Sequence, residues 1–271
     1  MKTSLVDHIK NMLELGKKTI SSHPILDKEI GTTNDKGDKT IAMDIEMENV
    51  LVAYIKENNI PADIFSEEIG TIKFHNNAKY LIAFDPLDGS TNYKIGKNIY
   101  PYGLLIAIYD NTKPKLKDVI VSGAIEFTKD LSWYFIDGQT FDKNNQPINL
   151  KKDWNISKST PFFLDTYYKQ GYELYRPLAE KIFIRNIGST IGNLSYVLSN
   201  IAAGIGGVCM RPEEIGAIYS LIKGAGGITV NHNGEDIGNN KFSPNDTHQI
   251  IAGSKNVVNY AIDSLKKNNY S

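Results

Sequence analysis

Two aspartates three positions apart stand in the segment Phe84-Asp85-Pro86-Leu87-Asp88-Gly89-Ser90-Thr91-Asn92. Pro86 fixes its own φ and Gly89 lets the backbone turn sharply, so both carboxylates can converge on one point. The Leu87 carbonyl lies between them. Oxygen-only ligation of this kind suits a hard cation such as Mg²⁺. Gly89, Ser90 and Thr91 follow with N–H groups and hydroxyls at an expected helix start, an anion site beside a cation site. The same residues also suit an ordinary Asp-Pro-x-Asp-Gly turn, and the short motif alone leaves both readings open.

Further carboxylates lie upstream. Ser66-Glu67-Glu68-Ile69-Gly70 follows the apolar Ile64-Phe65, one loop and one strand before the aspartate turn. Adjacent glutamates are commonly a solvated pair, but these sit at the end of an expected strand. Gly37-Asp38-Lys39-Thr40-Ile41-Ala42-Met43-Asp44 puts an aspartate at a helix start, where capping is its ordinary role.

The elements that must position these groups are readable from periodicity. Leu5, Ile9, Met12, Leu13 and Ile20 predict an amphipathic helix over 4–21. A second helix starts near Asp44, with Ile45, Val50, Leu51, Tyr54 and Ile55 inward, and stops before Pro61; 31–39 reads as a loop. Leu81-Ile82-Ala83-Phe84 is a continuous apolar run, as in a strand buried on both faces. Strands are also expected over 102–109, 119–127, 131–136, 181–185, 228–230 and 250–252. Helices are expected over 189–203, 213–223 and 256–267, the middle one ended by glycines 224, 226 and 227. Helices and strands in both halves imply layers of helix on sheet.

Taken together, Asp44, Glu67 and the Asp85–Asp88 turn resemble the inositol monophosphatase superfamily of Mg²⁺-dependent, lithium-sensitive-type phosphatases. That superfamily also holds fructose-1,6-bisphosphatases and 3′(2′),5′-bisphosphate nucleotidases. Arg185-Asn186-Ile187-Gly188-Ser189 is similar to its Arg-x-x-Gly-Ser substrate segment, and Ala225-Gly226-Gly227 to its Glu-Ala-Gly-Gly ending. The likeness spans about 31–230 and is strongest to the archaeal-type inositol monophosphatase/fructose-bisphosphatase branch. It implies a layered αβαβα sandwich, the α+β sugar-phosphatase fold with mixed sheets. It also implies a single phosphatase unit over 1–271, with a metal-site half at 1–150 and a substrate half at 151–271.

By the resemblance, Glu67, Asp85, Asp88 and the Leu87 carbonyl hold two or three Mg²⁺ ions, with Mn²⁺ as a substitute. Asp44, Ser90 and Glu67 are the catalytic group, Asp44 and Ser90 positioning and deprotonating a water. Gly89, Ser90 and Thr91 hold the phosphate; Arg185, Gly188, Ser189 and Arg211 contact the substrate, Arg211 pairing with a second phosphate. The expected activity is hydrolysis of inositol monophosphate and/or fructose 1,6-bisphosphate by a homodimer. The alternatives are a nucleotidase, or a catalytically weakened binding or regulatory homologue. Three departures bear on this. Where the family has Trp-Asp before its Gly-Gly pair, this chain has Glu213-Glu214, so Glu214 takes the position of the metal-binding aspartate. Gly224 replaces the glutamate before Ala-Gly-Gly, and 204–211 lacks the acidic residue usually offered to substrate.

Composition sets the remaining bounds. The 271 residues carry 30 Lys+Arg against 31 Asp+Glu, which gives no basic field for nucleic acid. The longest apolar run, 103–109, is far short of the ~20 residues needed to span a bilayer, and no apolar signal-peptide core is present. A cytoplasmic protein without membrane partners is the expectation. The single Cys209 excludes an internal disulfide and reads as a small core residue. Histidines 8, 23, 75, 232 and 248 lack close ligand spacing, and no P-loop motif occurs. Tyrosines between 93 and 109 read as core, and Lys266-Lys267 as a solvated helix end.

Overall fold

Leu5, Ile9, Met12 and Leu13 are all buried on one stripe of the first helix, α1 (Lys2–Ser22). The computed structural model describes residues 2–22, 29–33, 39–73 and 77–268. After α1 come a short antiparallel pair, β1 (Glu29–Thr33) with β2 (Lys39–Ile41), and helix α2 (Ala42–Glu57). The expected loop over 31–39 thus contains strand ends; 34–38, with His23 and His75, lie outside the described residues. In α2 the buried stripe is Met43, Met47, Leu51 and Ile55, with Asp44 and Glu48 beside it. Ile45, Val50 and Tyr54, expected inward, are only half-buried. The long methionines fill the core positions instead.

β3 (Ala62–Ser66), β4 (Gly70–Ile72), β5 (Tyr80–Asp88), a short helix α3 (Ser90–Gly96), β6 (Gly103–Tyr109), β7 (Val119–Glu126), β8 (Leu131–Ile136) and β9 (Gln139–Asp142) follow. The strands form one seven-stranded sheet, ordered β4-β3-β5-β6-β7-β8-β9, with β3 and β5 parallel and the other pairs antiparallel. Every residue of β5 is buried, as its apolar run predicts.

The second half supplies β10 (Pro161–Leu164), α4 (Lys169–Tyr175), β11 (Phe183–Arg185), α5 (Thr190–Leu198), β12 (Gly204–Met210), α6 (Pro212–Gly224), β13 (Ile228–Val230), β14 (His248–Gly253) and α7 (Lys255–Asn268). Its strands make a five-stranded mixed sheet, β11-β10-β12-β14-β13. β4, β9, β10 and α4 are additions to the expected elements, being short and without clear periodicity, whereas α3 begins at the helix start expected after Gly89. The helix expected over 189–203 ends at Leu198, and 204–210 is strand β12.

Helices α1 and α2 cover one face of the larger sheet. α5 and α6 fill the space between the sheets, and α7 covers the outer face of the smaller one. The result is the αβαβα layering that the resemblance implies. α6 is the central layer: of its residues only Lys223 is not buried. Tyr93, Tyr102 and Tyr109 are core, as expected, but Tyr100 between them is exposed.

Candidate active site

In a regular strand, side chains alternate faces, so residues three apart point to opposite sides. Asp85 and Asp88 escape this because β5 carries a bulge. Asp85 pairs with Leu105 and Asp88 with Gly103, so three steps on β5 face two on β6. The extra residue restores both aspartates to one face. Pro86, which has no N–H to give the ladder, lies inside the bulge. Leu87 N–H donates to Asp85 Oδ1 at 3.0 Å and steadies the turn. Gly89 then sits at φ +81, and a Cβ there would stand 2.9 Å from Ser189 Cβ, so glycine is required by both conformation and space.

Glu214 comes to the same point from the first turn of α6. Asp85, Asp88 and Glu214 are all buried, and each offers a carboxylate oxygen within 4.8 Å of the others. Glu213, one residue earlier, does not join them; it stands 3.6 Å from Arg211. Glu214 accepts from Arg211 N–H (3.0 Å) and from the Thr190 hydroxyl (3.3 Å). Asp88 accepts from Ser189 Oγ (2.5 Å), Thr190 N–H (3.1 Å) and Ile191 N–H (2.7 Å) at the start of α5.

Burial sets the electrostatics. Asp85 is held protonated well above the usual carboxylate range by burial, with the charges of Asp88 and Glu214 adding to it. Asp88 is pushed up to about 6 by burial and then by Glu214, while its bonds to α5 pull the other way. Asp44 is raised to about 7, again chiefly by burial. Three buried carboxylates at one point are costly without a cation. The donor set is oxygen-only and acidic, so it fits a hard divalent metal.

The other expected residues divide. Glu67, Leu87, Gly89, Ser90, Thr91, Gly188, Ser189 and Arg211 line one cavity of about 340 Å³ with the three carboxylates. Glu67 forms an ion pair with the Arg211 guanidinium on the cavity wall, and that guanidinium also stands 3.6 Å from Glu213. Ser189 caps α5, accepting from Gly192 N–H at 3.1 Å while it donates to Asp88. Asp44 lies behind the cavity wall, its Oδ2 accepting from Ile41 N–H at 2.8 Å, and among the described residues no hydrogen bond joins it to Ser90. Arg185 is outside the lining, its guanidinium over the Phe183 ring.

Several lining residues carried no signal in the sequence. Tyr167 and Tyr168 flank the mouth, 84% and 38% exposed, with ring centroids 5.2 Å apart. They follow β10, a strand too short to predict. Cys209, expected in the core, is half-buried on the pocket wall. Asn92 donates to the carbonyls of Pro101 (2.8 Å) and Ile187 (2.7 Å), fixing the approach to Gly188. Gly224, the departure before Ala-Gly-Gly, has a packing cause. A Cβ there would lie 2.5 Å from Phe135 and 2.6 Å from Thr140 Oγ1, so no glutamate fits.

Fold and site together define a layered phosphatase-type sandwich with a buried, oxygen-only acidic cluster. The sequence matches the family described as Fructose-1-6-bisphosphatase, N-terminal domain, over residues 4–128. It is 25% identical to a fructose-1,6-bisphosphatase/inositol-1-monophosphatase of Thermococcus kodakarensis over 86% of each chain. The extragenic suppressor protein suhB of Bartonella henselae superposes with a TM-score of 0.82 at 17% identity, covering 97% of this chain and 99% of that one. A solved inositol monophosphatase–fructose 1,6-bisphosphatase gives 0.78 at 22% identity, covering 96% and 98%. The chain is thus similar to proteins of the inositol monophosphatase/fructose-1,6-bisphosphatase superfamily, and the likeness extends over most of its length to the archaeal-type branch.

Proposed function

We propose that this protein is a metal-dependent phosphomonoesterase acting on inositol monophosphate, fructose 1,6-bisphosphate, or both, through attack by an activated water. The observation that carries the reading is the convergence of Asp85, Asp88 and Glu214 beside the Gly89–Thr91 turn in one cavity. With Glu67 and the Leu87 carbonyl, these carboxylates would hold two or three Mg²⁺ ions, or Mn²⁺ in their place. Bound there, the metal supplies charge stabilisation at the phosphoryl oxygens and a more acidic water.

The chain's own groups do the rest. Gly89, Ser90 and Thr91 seat the phosphate. Asp44, lifted to about 7, is matched to accepting a proton near neutral pH. Gly188 forms part of the substrate wall, and Ser189 holds Asp88 in place as well as lining that wall. Arg211, being turned toward Glu67 and Glu213, supports a second phosphate less than the sequence suggests, which favours a monophosphate. Residues 1–150 supply most of the metal site and 151–271 the substrate wall, with Glu214 crossing between them. A homodimer, which rests on the resemblance, and a cytoplasmic location, which rests on the sequence composition, belong to the same reading; among the described residues no helix is long and apolar enough to cross a membrane.

One observation favours a second reading. The exposed Tyr167–Tyr168 pair offers an aromatic face at the pocket mouth, on which a purine could stack. The test is phosphate release from inositol 1-phosphate, fructose 1,6-bisphosphate and adenosine 3′,5′-bisphosphate, with Mg²⁺ and in excess EDTA. The first two should exceed the nucleotide in kcat/KM, and EDTA should abolish turnover. A nucleotide preference above about tenfold, ~1.4 kcal/mol of differential transition-state binding, would move the assignment to a nucleotidase. Metal binding without turnover of any of the three would favour the regulatory homologue.

A further inference from the structure

Glu48 follows Asp44 by four residues on α2, so the two carboxylates share one helix face. Its side chain is fully buried. Oε1 accepts from the Ser66 hydroxyl and, at 3.0 Å, from Ile69 N–H. Oε2 is buried with no hydrogen-bond partner among the described residues. A buried carboxylate satisfied on one oxygen only is destabilising where an apolar side chain would pack freely. What it grips is informative. Ser66 and Ile69 bracket the turn between β3 and β4 that carries Glu67 and Glu68.

Apart from the ion pair between Glu67 and Arg211, the sheet gives that turn weak support. β4 is three residues long, is not buried, and stands at the edge of the sheet. Its ladder runs only from Ile64–Ile72 to Ser66–Gly70. Glu68 is tied separately, accepting from Thr40 Oγ1 at 2.8 Å. These backbone and flanking ties come from α2 or the strand leading into it, whereas Arg211 meets only the Glu67 side chain.

We propose that Glu48 is a positioning residue, gripping Ser66 and Ile69 on either side of Glu67 so that the Glu67 carboxylate faces the cation site. This rests on the reading that Glu67 helps hold the metal. Glu48→Met removes the acceptor, Glu48→Gln keeps an acceptor oxygen, and Ser66→Ala deletes one donor with little steric change. The readouts are Mn²⁺ affinity of the metal-stripped protein by titration calorimetry, the Mg²⁺ concentration for half activity, and kcat at saturating Mg²⁺.

Glu48→Met should weaken Mn²⁺ binding by about tenfold or more, the scale for groups that orient metal ligands, and Glu48→Gln by less than about threefold. Ser66→Ala should fall between them, and kcat at saturating Mg²⁺ should change far less than the metal requirement. A Glu48→Met protein that melts earlier but binds Mn²⁺ normally would overturn the proposal. If that variant does not fold, normal Mn²⁺ affinity in Ser66→Ala overturns it instead. Glu67→Gln separates the premise from the inference. If it binds Mn²⁺ like the wild type, the metal role of Glu67 fails; if it binds weakly while the Glu48 and Ser66 variants bind normally, only the positioning role fails.

Discussion

Asp85 and Asp88 would leave opposite faces of an unbroken strand, and the bulge across Pro86 is what lets them meet Glu214. The motif itself was visible in the sequence, and so was Pro86; the count of partners on β6 was not, because register is a property of the pair. Glu214 is a similar case. Counting back from Gly227 placed it in the metal position, and the structure brings Glu214 to the aspartates while Glu213 stands by Arg211. Glu214→Gln should therefore raise the Mg²⁺ concentration for half activity by at least about tenfold, no less than the loss seen for groups that merely orient ligands. Glu213→Gln should leave it near the wild-type value. Titrating activity against Mg²⁺ for both variants decides the matter; the converse pattern would shift the third ligand by one residue. The roles of Ser189 and Arg211 were less readable, because side chains meant for a substrate and side chains meant for a neighbour have the same composition. Only distance separates the hydroxyl that donates to Asp88 from one that waits for a ligand.

Among the elements, α6 has the most to position, since it presents Glu214 at one end and meets β8 and β9 at the other. Gly224 marks that second contact. Alanine there would gain under about 1 kcal/mol of helix propensity. Its Cβ would stand 2.5 Å from Phe135, 2.6 Å from Thr140 Oγ1 and 2.9 Å from Thr140 N, and the last of these is backbone that cannot swing aside. Overpacking of this kind costs about 1–3 kcal/mol, so Gly224→Ala should be net destabilising. Denaturant unfolding would show a lowered midpoint, while the Mg²⁺ requirement stays unchanged ten residues from Glu214. Equal or greater stability would return Gly224 to the list of active-site departures. Long periodic elements such as α1, α6 and α7, and the apolar β5 and β6, were all legible. β9, β10 and α4 were not, since a four-residue strand or a seven-residue helix holds too few positions to display a period. The cost of missing β10 was functional, because Tyr167 and Tyr168 follow it.

At the scale of the whole molecule, the acidic site should make folding sensitive to both pH and metal. Asp44 moves from 3.8 to about 7 and Asp88 from 3.8 to about 6 in the folded, metal-free chain, both chiefly through burial. A carboxylate whose folded value is raised binds protons that the unfolded chain has already released. Its stabilising contribution is complete below the unfolded value of 3.8 and is lost as pH climbs through 6 and 7. For Asp44 the loss amounts to about 4 kcal/mol across that window, at 1.36 kcal/mol for each unit. His232 and His248 act in the opposite sense. Burial lowers both, so they favour the folded state as pH rises toward 6.5 and add nothing further above it. The carboxylates are therefore read most cleanly between about pH 6.5 and 8, above the histidine range. In excess EDTA the melting temperature should fall across that interval, and Asp44→Asn should flatten the slope while keeping an acceptor for Ile41 N–H. Saturating Mg²⁺ should remove or reverse the fall, because a bound cation favours the ionised carboxylates of the cluster and binds only the folded chain. Calorimetric scans of wild type and Asp44→Asn, each with EDTA and with Mg²⁺, give the four curves needed. A metal-stripped wild type whose melting temperature holds level or climbs from pH 6.5 to 8 would mean that the buried carboxylates are compensated within the chain, and that the site needs no cation to be stable.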